Sequence, residues 1–361
     1  METSNYMEFR LSDLRQNAEK SISVSGVPVM GVVKCDGYGV GLLKAAEIWL
    51  SAGADMLGVS LPEEAFLLRE GGISADILLM SPVYDVSAAS SLIKSDIILT
   101  VSSVKCAYIY SKAASFAEKD ARVHTAVDTG MGRFGMSWQD IDRLVSLYSI
   151  PRLSFEGIFS HFSSAFEKKY RLTKLQLEKF LSAAEGLRAR GIEPGIRHIA
   201  ASCAALRFPE TRLDMVRLGS ALLGRLPCPA PVFLKPAGTF YAKVVDTKTL
   251  CTGDTCGYGS LFKARRRTVA AVAAVGTCDF FGVEKLSDSF CLSGFLRSLL
   301  HVLKSVRRRP YALYGGRTLP LIGRPGSQFS LFDTCGADIS PGDFIAVPVC
   351  ILSPGHTKRY I

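Results

Sequence analysis

Residues 31–72 read GVVKCDGYGVGLLKAAEIWLSAGADMLGVSLPEEAFLLREGG. Two patterns alternate in this stretch. GVVKCD (31–36) and MLGVS (56–60) are short, apolar and end in a polar or small residue, as strands buried on both faces do. LKAAEIWLSAG (43–53) and PEEAFLLREGG (62–72) repeat apolar residues at helical spacing and stop at glycine. The alternation continues through ILLM (77–80), IILTV (97–101), VHTAVD (123–128), GIFSH (157–161) and IRHIA (196–200). Helical segments such as KLQLEKFLSAAEGLRARG (174–191) lie between them. About eight such repeats in roughly 200 residues fit a parallel (β/α)8 TIM barrel better than an open sheet. After Pro227 the texture changes to longer strands, FYAKVVDTKTL, TVAAVAAVGT and DFIAVPVCIL, separated by Gly-rich turns. The reading is therefore an α/β chain. An N-terminal barrel spans 1–227 with a lead-in strand and helix. A mostly β domain spans 228–361, interrupted by one helix near 293–309.

Bulk properties narrow the function. The 361 residues carry 43 Lys and Arg against 33 Asp and Glu, and nearly all of the surplus lies beyond residue 225. Two runs, Arg265–Arg267 and Arg307–Arg309, supply much of it. They read as a solvated basic face, because no nucleic-acid motif accompanies them and no nucleic-acid partner is expected. Ten cysteines without metal-ligand spacing read as reduced thiols of a cytoplasmic protein, with no metal site. The N-terminus lacks an apolar signal region. The longest apolar stretch is too short for comfortable membrane spanning, so no membrane partner is expected.

Function in a parallel barrel gathers at the C-terminal strand ends, and several chemically active residues fall there. Lys34 ends GVVK, His161 ends GIFSH, and Arg133 follows VHTAVD. Ser202 follows IRHIA, and Arg217, Gly219 and Ser220 lie in VRLGS. A lysine in a buried strand is costly, and burial lowers its pKa toward Schiff-base chemistry. Backbone N–H groups at Gly219 and Ser220, at a helix start, suit a phosphate. A lysine, an arginine and a phosphate turn on one rim fit a pyridoxal 5′-phosphate site.

These segments resemble the alanine racemases. VVKCDGYGVG (32–41) is similar to their AVVKANAYGHG, and VHTAVDTGMGRFGM (123–136) to KVDTGMGRLGF. IFSHFSSA (158–165) is similar to THFATA, HIAASCAAL (198–206) to HIANSAAAL, and DMVRLGSALLGRLP (214–227) to VRPGIALYG. GDTCGYGSLF (253–262) is similar to GD-VGYGRTF. The matches run in order along nearly the whole chain. The resemblance implies that Lys34 binds pyridoxal 5′-phosphate and exchanges the substrate Cα proton on one face. Tyr258 of the partner subunit in a homodimer would serve the other face. It implies that Tyr38, Ser202, Gly219 and Ser220 hold the phosphate, that Arg217 pairs with the pyridine nitrogen, and that His161 sits beside the ring. Arg133 and Ser327 would meet the substrate, a small amino acid. Two opposed bases suit a racemisation, and a phenol and an amine share a reference pKa near 10.

The departures bear on substrate. Ala126 stands where the family has a modified lysine; an anion such as chloride would have to position Arg133 instead. GYADG becomes Gly276-Thr277-Cys278-Asp279-Phe280, the Met-Asp pair becomes Ser327-Gln328, Pro354 replaces a phosphate-contacting tyrosine, and Val40 replaces a histidine. These changes leave open alanine, another small or polar amino acid, another reaction such as decarboxylation, or a cofactor-binding protein with little turnover.

Overall fold

The computed structural model describes residues 4–167, 170–283, 295–296, 299–300, 310–349 and 356–361. The helix expected near 293–309 and Pro354 lie outside the described residues, apart from Phe295, Leu296, Leu299 and Leu300, which are helical. The chain forms two compact units, Arg10–Ala237 and Met1–Phe9 with Gly238–Ile361.

In the first unit, seven strands pair parallel in sequence order: Val29–Val32, Met56–Val59, Asp76–Leu79, Ile97–Val101, Ala121–Asp128, Leu153–Phe159 and Ile196–His198. An eighth, Val216–Leu218, pairs parallel with Val29–Val32. A parallel bridge from Ala201 to Arg217 joins the two ends, so the sheet closes into a barrel. Alternation along each strand decides what faces inward. Gly31 faces the helix Leu42–Ser51, since a Cβ there would lie 3.1 Å from that of Trp49. Met30 and Val32 consequently face the interior. Met30, Met56, Leu78, Ile98 and Met215 form one buried cluster inside the barrel. The outer helices start where the sequence supplies caps: Asp85 accepts Ala88 N–H at 2.7 Å and Ser103 accepts Cys106 N–H at 3.1 Å.

Three expectations change. The strand GVVK stops at Val32, so Lys34 lies two residues beyond it and is half-buried rather than enclosed. VRL is the eighth strand, and no helix follows it; residues 220–224 are a turn, with Leu222 N–H bonded to Gly219 O. The phosphate turn thus lacks a helix N-terminus, because the chain leaves the barrel there. The lead-in strand Tyr6–Phe9 belongs with the C-terminal unit. It pairs antiparallel with Thr239–Leu250 and parallel with Thr357–Tyr360, and unpaired backbone groups there would otherwise need water.

The second unit is an eight-stranded, mostly antiparallel sheet. A separate two-stranded ribbon, Thr255–Cys256 with Phe262–Lys263, carries Tyr258 at its tip. Gly257 and Gly259 flank it at φ 76° and 73°, which side chains adopt only with strain. Among the described residues no helix is long and apolar enough to cross a membrane.

The barrel cluster should dominate the stability of its unit. Leu78→Ala, at a fully buried position, is expected to lose about 2–5 kcal/mol of unfolding free energy, measured by urea denaturation with barrel fluorescence or circular dichroism as probe.

Candidate active site

A cavity of about 570 Å³ opens at the C-terminal ends of the barrel strands. Lys34, Tyr38, Arg133, His161, Ser202, Arg217, Gly219 and Ser220 all line it, together with an apolar wall that includes Met80, Phe159 and Phe162. Each of the eight barrel residues given a cofactor or substrate role from sequence therefore meets the same space. Tyr258 and Ser327 belong to the other unit. Tyr258 is 76% exposed. Ser327 is exposed too, and its carbonyl accepts Cys278 N–H at 3.0 Å.

Lys34 opens an unusual turn. Cys35, Asp36 and Tyr38 adopt φ 55°, and Gly37 adopts φ 62°. A left-handed conformation costs about 1–2 kcal/mol for each non-glycine residue, so the turn needs outside support. Asp36 Oδ1 accepts Leu42 N–H at 2.8 Å, and Glu64 Oε1 accepts Cys35 N–H at 2.7 Å. The turn brings the Tyr38 hydroxyl against Gly219, where an added Cβ would lie 2.6 Å from it. Burial, then the neighbouring Cys35 and Glu64, raise the Tyr38 pKa, which keeps the phenol a hydrogen-bond donor.

Arg217 is 3% exposed and makes no ion pair with a carboxylate among the described residues. Neutral acceptors surround it instead. Nη1 donates to His198 Nδ1 at 2.7 Å and His198 O at 3.0 Å. Nη2 donates to Ser160 O at 2.7 Å, Ile199 O at 3.1 Å and His161 Nδ1 at 3.2 Å. Burial and then the Arg133 charge lower its pKa to about 9, so it remains a cation at neutral pH. Since His198 Nδ1 accepts from Arg217, its proton resides on Nε2, which contacts His124 Nδ1 at 2.8 Å. Burial and nearby arginines hold His161 near pKa 3 and His124 near 4, and they lower His198 as well. All three imidazoles are thus neutral at pH 7. The Arg217 Nε makes no hydrogen bond among the described residues and is left as a donor at the pocket.

The same cavity holds a second set of free donors. Ser202 Oγ accepts Gly219 N–H at 3.1 Å and Ala221 N–H at 3.2 Å, leaving its own proton unassigned. The Gly219 amide is thereby spoken for and is not a free donor. Ser220 N–H and the Tyr38 hydroxyl have no hydrogen-bond partner among the described residues. Arg133, at the rim, makes neither ion pair nor hydrogen bond there and only faces the Phe134 ring at 5.6 Å. Together these groups offer a donor for a ring nitrogen, donors for a phosphate, a cation for a carboxylate and an amine for a carbonyl.

A family model described as Alanine racemase, N-terminal domain, matches residues 9–227. This chain belongs to the alanine racemase family. It is 31% identical to alanine racemase from Desulfosudis oleivorans, over 95% of this chain and 87% of that one. It is 37% identical to that of Clostridium tetani, over 76% and 72%. The solved alanine racemase of Streptomyces lavendulae superposes with TM-score 0.86 at 26% identity, covering 100% of this chain and 98% of that one. A histidine racemase from Leuconostoc mesenteroides, TM-score 0.82 at 21% identity over 99% and 98%, shares the fold alone.

Within this family frame, Ala126 is buried at 2% exposure and lines the cavity two residues along its strand from His124. Sequence reading passed over His124, Ser160 and Glu64, and left His198 without a role. The signal was available for His124, an inward position in VHTAVD by strand alternation, but nothing local announces its partner 74 residues away.

The three depressed imidazoles set a pH dependence. Their folded pKa values lie below the unfolded value of about 6.5, so the unfolded state binds more protons as pH falls below that value. Stability is full above pH 6.5 and declines toward pH 4, by up to about 1.4 kcal/mol per pH unit for each imidazole. His161→Gln should reduce the slope of unfolding free energy against pH by close to one proton between pH 6 and 4.5, read by urea titration at each pH.

Proposed function

We propose that this chain is a pyridoxal 5′-phosphate-dependent racemase of alanine or another small or polar amino acid, working as a cytoplasmic homodimer. The observation that carries the reading is one cavity lined together by Lys34, Arg217 with its orphaned Nε, and the free donors of Tyr38, Ser202 and Ser220. These residues fit the cofactor. The Tyr38 and Ser202 hydroxyls and Ser220 N–H would hold its phosphate, with Gly219 leaving the space. Arg217 Nε would face the pyridine nitrogen, His161 the ring, and the Lys34 amine its aldehyde carbon.

When bound, the cofactor supplies an electron-withdrawing ring that acidifies the substrate Cα–H. The remaining work belongs to side chains. A cationic Arg217, held by neutral acceptors, would donate to the ring nitrogen and oppose its protonation. Arg133 pairs with the substrate carboxylate. Lys34 takes or returns the Cα proton on one face, and Tyr258 of the partner subunit does so on the other. Two observations support the dimer. Tyr258 projects from a ribbon tip and is exposed. Leu261, Phe280, Val283 and Phe329 are exposed on the same unit. The described cysteines are all free thiols, in keeping with a reducing compartment.

Borohydride reduction of the cofactor-loaded protein should attach the cofactor to Lys34, and Lys34→Ala should lose the visible Schiff-base band. Mixing Lys34→Ala chains with Tyr258→Phe chains should restore part of the activity, because one composite site per heterodimer is then intact. Labelling of another lysine, or no recovery in a verified heterodimer, refutes the assignment.

The substrate follows from the altered positions. With the Ser327 carbonyl occupied by Cys278 N–H, its exposed hydroxyl is left to bind a polar side chain, and Thr277 and Cys278 are smaller than the family's Tyr-Ala pair. A site built to hydrogen-bond its substrate discriminates more strongly than one methylene, worth about 1–3 kcal/mol. Serine or a longer polar amino acid should therefore be accepted at least as well as alanine. Comparing kcat/KM for alanine, serine, lysine and arginine checks this; a hundredfold preference for alanine over all the others refutes it.

A further inference from the structure

We propose that Glu64 is a positioning residue, whose carboxylate holds the left-handed turn 34–38 so that Lys34 and Tyr38 face the same cavity. Glu64 stands in the first turn of the helix Pro62–Glu70, on the next barrel repeat, and is 9% exposed. It has no cationic partner among the described ion pairs. A buried carboxylate without a cation persists only when donors surround it. Here Oε2 accepts Ser60 N–H at 2.9 Å and Leu61 N–H at 3.1 Å, and Oε1 is given wholly to Cys35 N–H at 2.7 Å.

The division of labour matters. Capping its own helix accounts for Oε2 alone, since those two donors directly precede the helix. Oε1 reaches 29 residues back, to the amide that follows Lys34. That amide belongs to the first of the turn's left-handed residues, three of which are not glycine. Residues held in this region persist only where their surroundings over-determine them. Within the turn, Gly37 N–H donates to Val33 O at 2.7 Å and Asp36 Oδ1 accepts Leu42 N–H, while at its base Val33 N–H donates to Gly58 O at 2.9 Å. Glu64 adds a tie from the first left-handed residue to the loop that follows the neighbouring strand. Without it, Lys34 and Tyr38 keep their chemistry but lose a fixed relative aim.

The proposal rests on the reading that Lys34 and Tyr38 serve the cofactor, and two variants separate it from a purely structural role. Glu64→Asp keeps a carboxylate and the helix cap but is one methylene too short to span both groups. Glu64→Gln keeps one acceptor oxygen and points an amide N–H₂ at the remaining donors. The full chain is compared in hydrogen exchange of peptides covering 33–41 and 62–70, in its dissociation constant for pyridoxal 5′-phosphate by absorbance titration, and in thermal unfolding. Both variants should exchange at least tenfold faster in 33–41, bind the cofactor at least tenfold more weakly, and drop in kcat more than they rise in KM. Glu64→Asp should retain the exchange of 62–70 and the melting temperature. Wild-type exchange in 33–41 with unchanged cofactor affinity overturns the proposal. So does a uniform rise in exchange with a lowered melting temperature in both variants, which marks a merely structural role. A wild-type chain that fails to take the cofactor on Lys34 refutes the functional reading instead, while the exchange of 33–41 still decides what Glu64 does.

Discussion

The site depends on a cation buried without an anion. Arg217 enters the barrel on the last of its strands and is surrounded by carbonyls and imidazole nitrogens. Burying an arginine beside a carboxylate would give a stable ion pair with little left to offer a ligand. Burying it among neutral acceptors leaves a charge that favours an electron-rich partner at its remaining donor. That arrangement works only while His198 and His161 stay neutral, and burial enforces this by lowering both pKa values. Closure of the sheet is part of the same constraint, because the bridge that joins its ends runs through Arg217 itself.

The other half of the cavity obeys a different logic. Lys34 and Tyr38 bound a turn that local preference disfavours, with left-handed backbone from Cys35 to Tyr38. The turn shortens the distance along the chain between an amine and a phenol that must face the same cavity. Its cost is met by carboxylates at Asp36 and Glu64, each accepting backbone N–H groups. Rigid donors on one side and a braced turn on the other define a cavity whose polar groups point at a ligand rather than at each other.

Ser327, Thr277 and Cys278 follow neither rule. They lie on the β unit, where Thr277 N–H and Cys278 N–H donate to Gly326 O and Ser327 O, and Asp279 braces the same loop by accepting Gly276 N–H. Loops anchored by backbone tolerate changes in side chain. Substitutions at Ser327, Thr277 and Cys278 therefore leave the hydrogen bonds between these two loops in place.

By itself, the sequence determined the barrel and the β unit, because hydrophobic period and glycine placement are local signals that repeat along the chain. It also determined which residues line the cavity, through motifs that each fit within about ten residues. What it left undecided depends on contacts between distant segments. VRL looked like the entrance to a helix, and only pairing with Val29–Val32 made it a strand that closes the barrel. The strand Tyr6–Phe9 reads the same whichever unit it joins, and its partners lie more than 200 residues away. The neutrality of the three histidines and the reach of Glu64 to Cys35 were likewise decided by tertiary structure, since burial and hydrogen-bond partners belong to the folded chain and not to any window of its sequence.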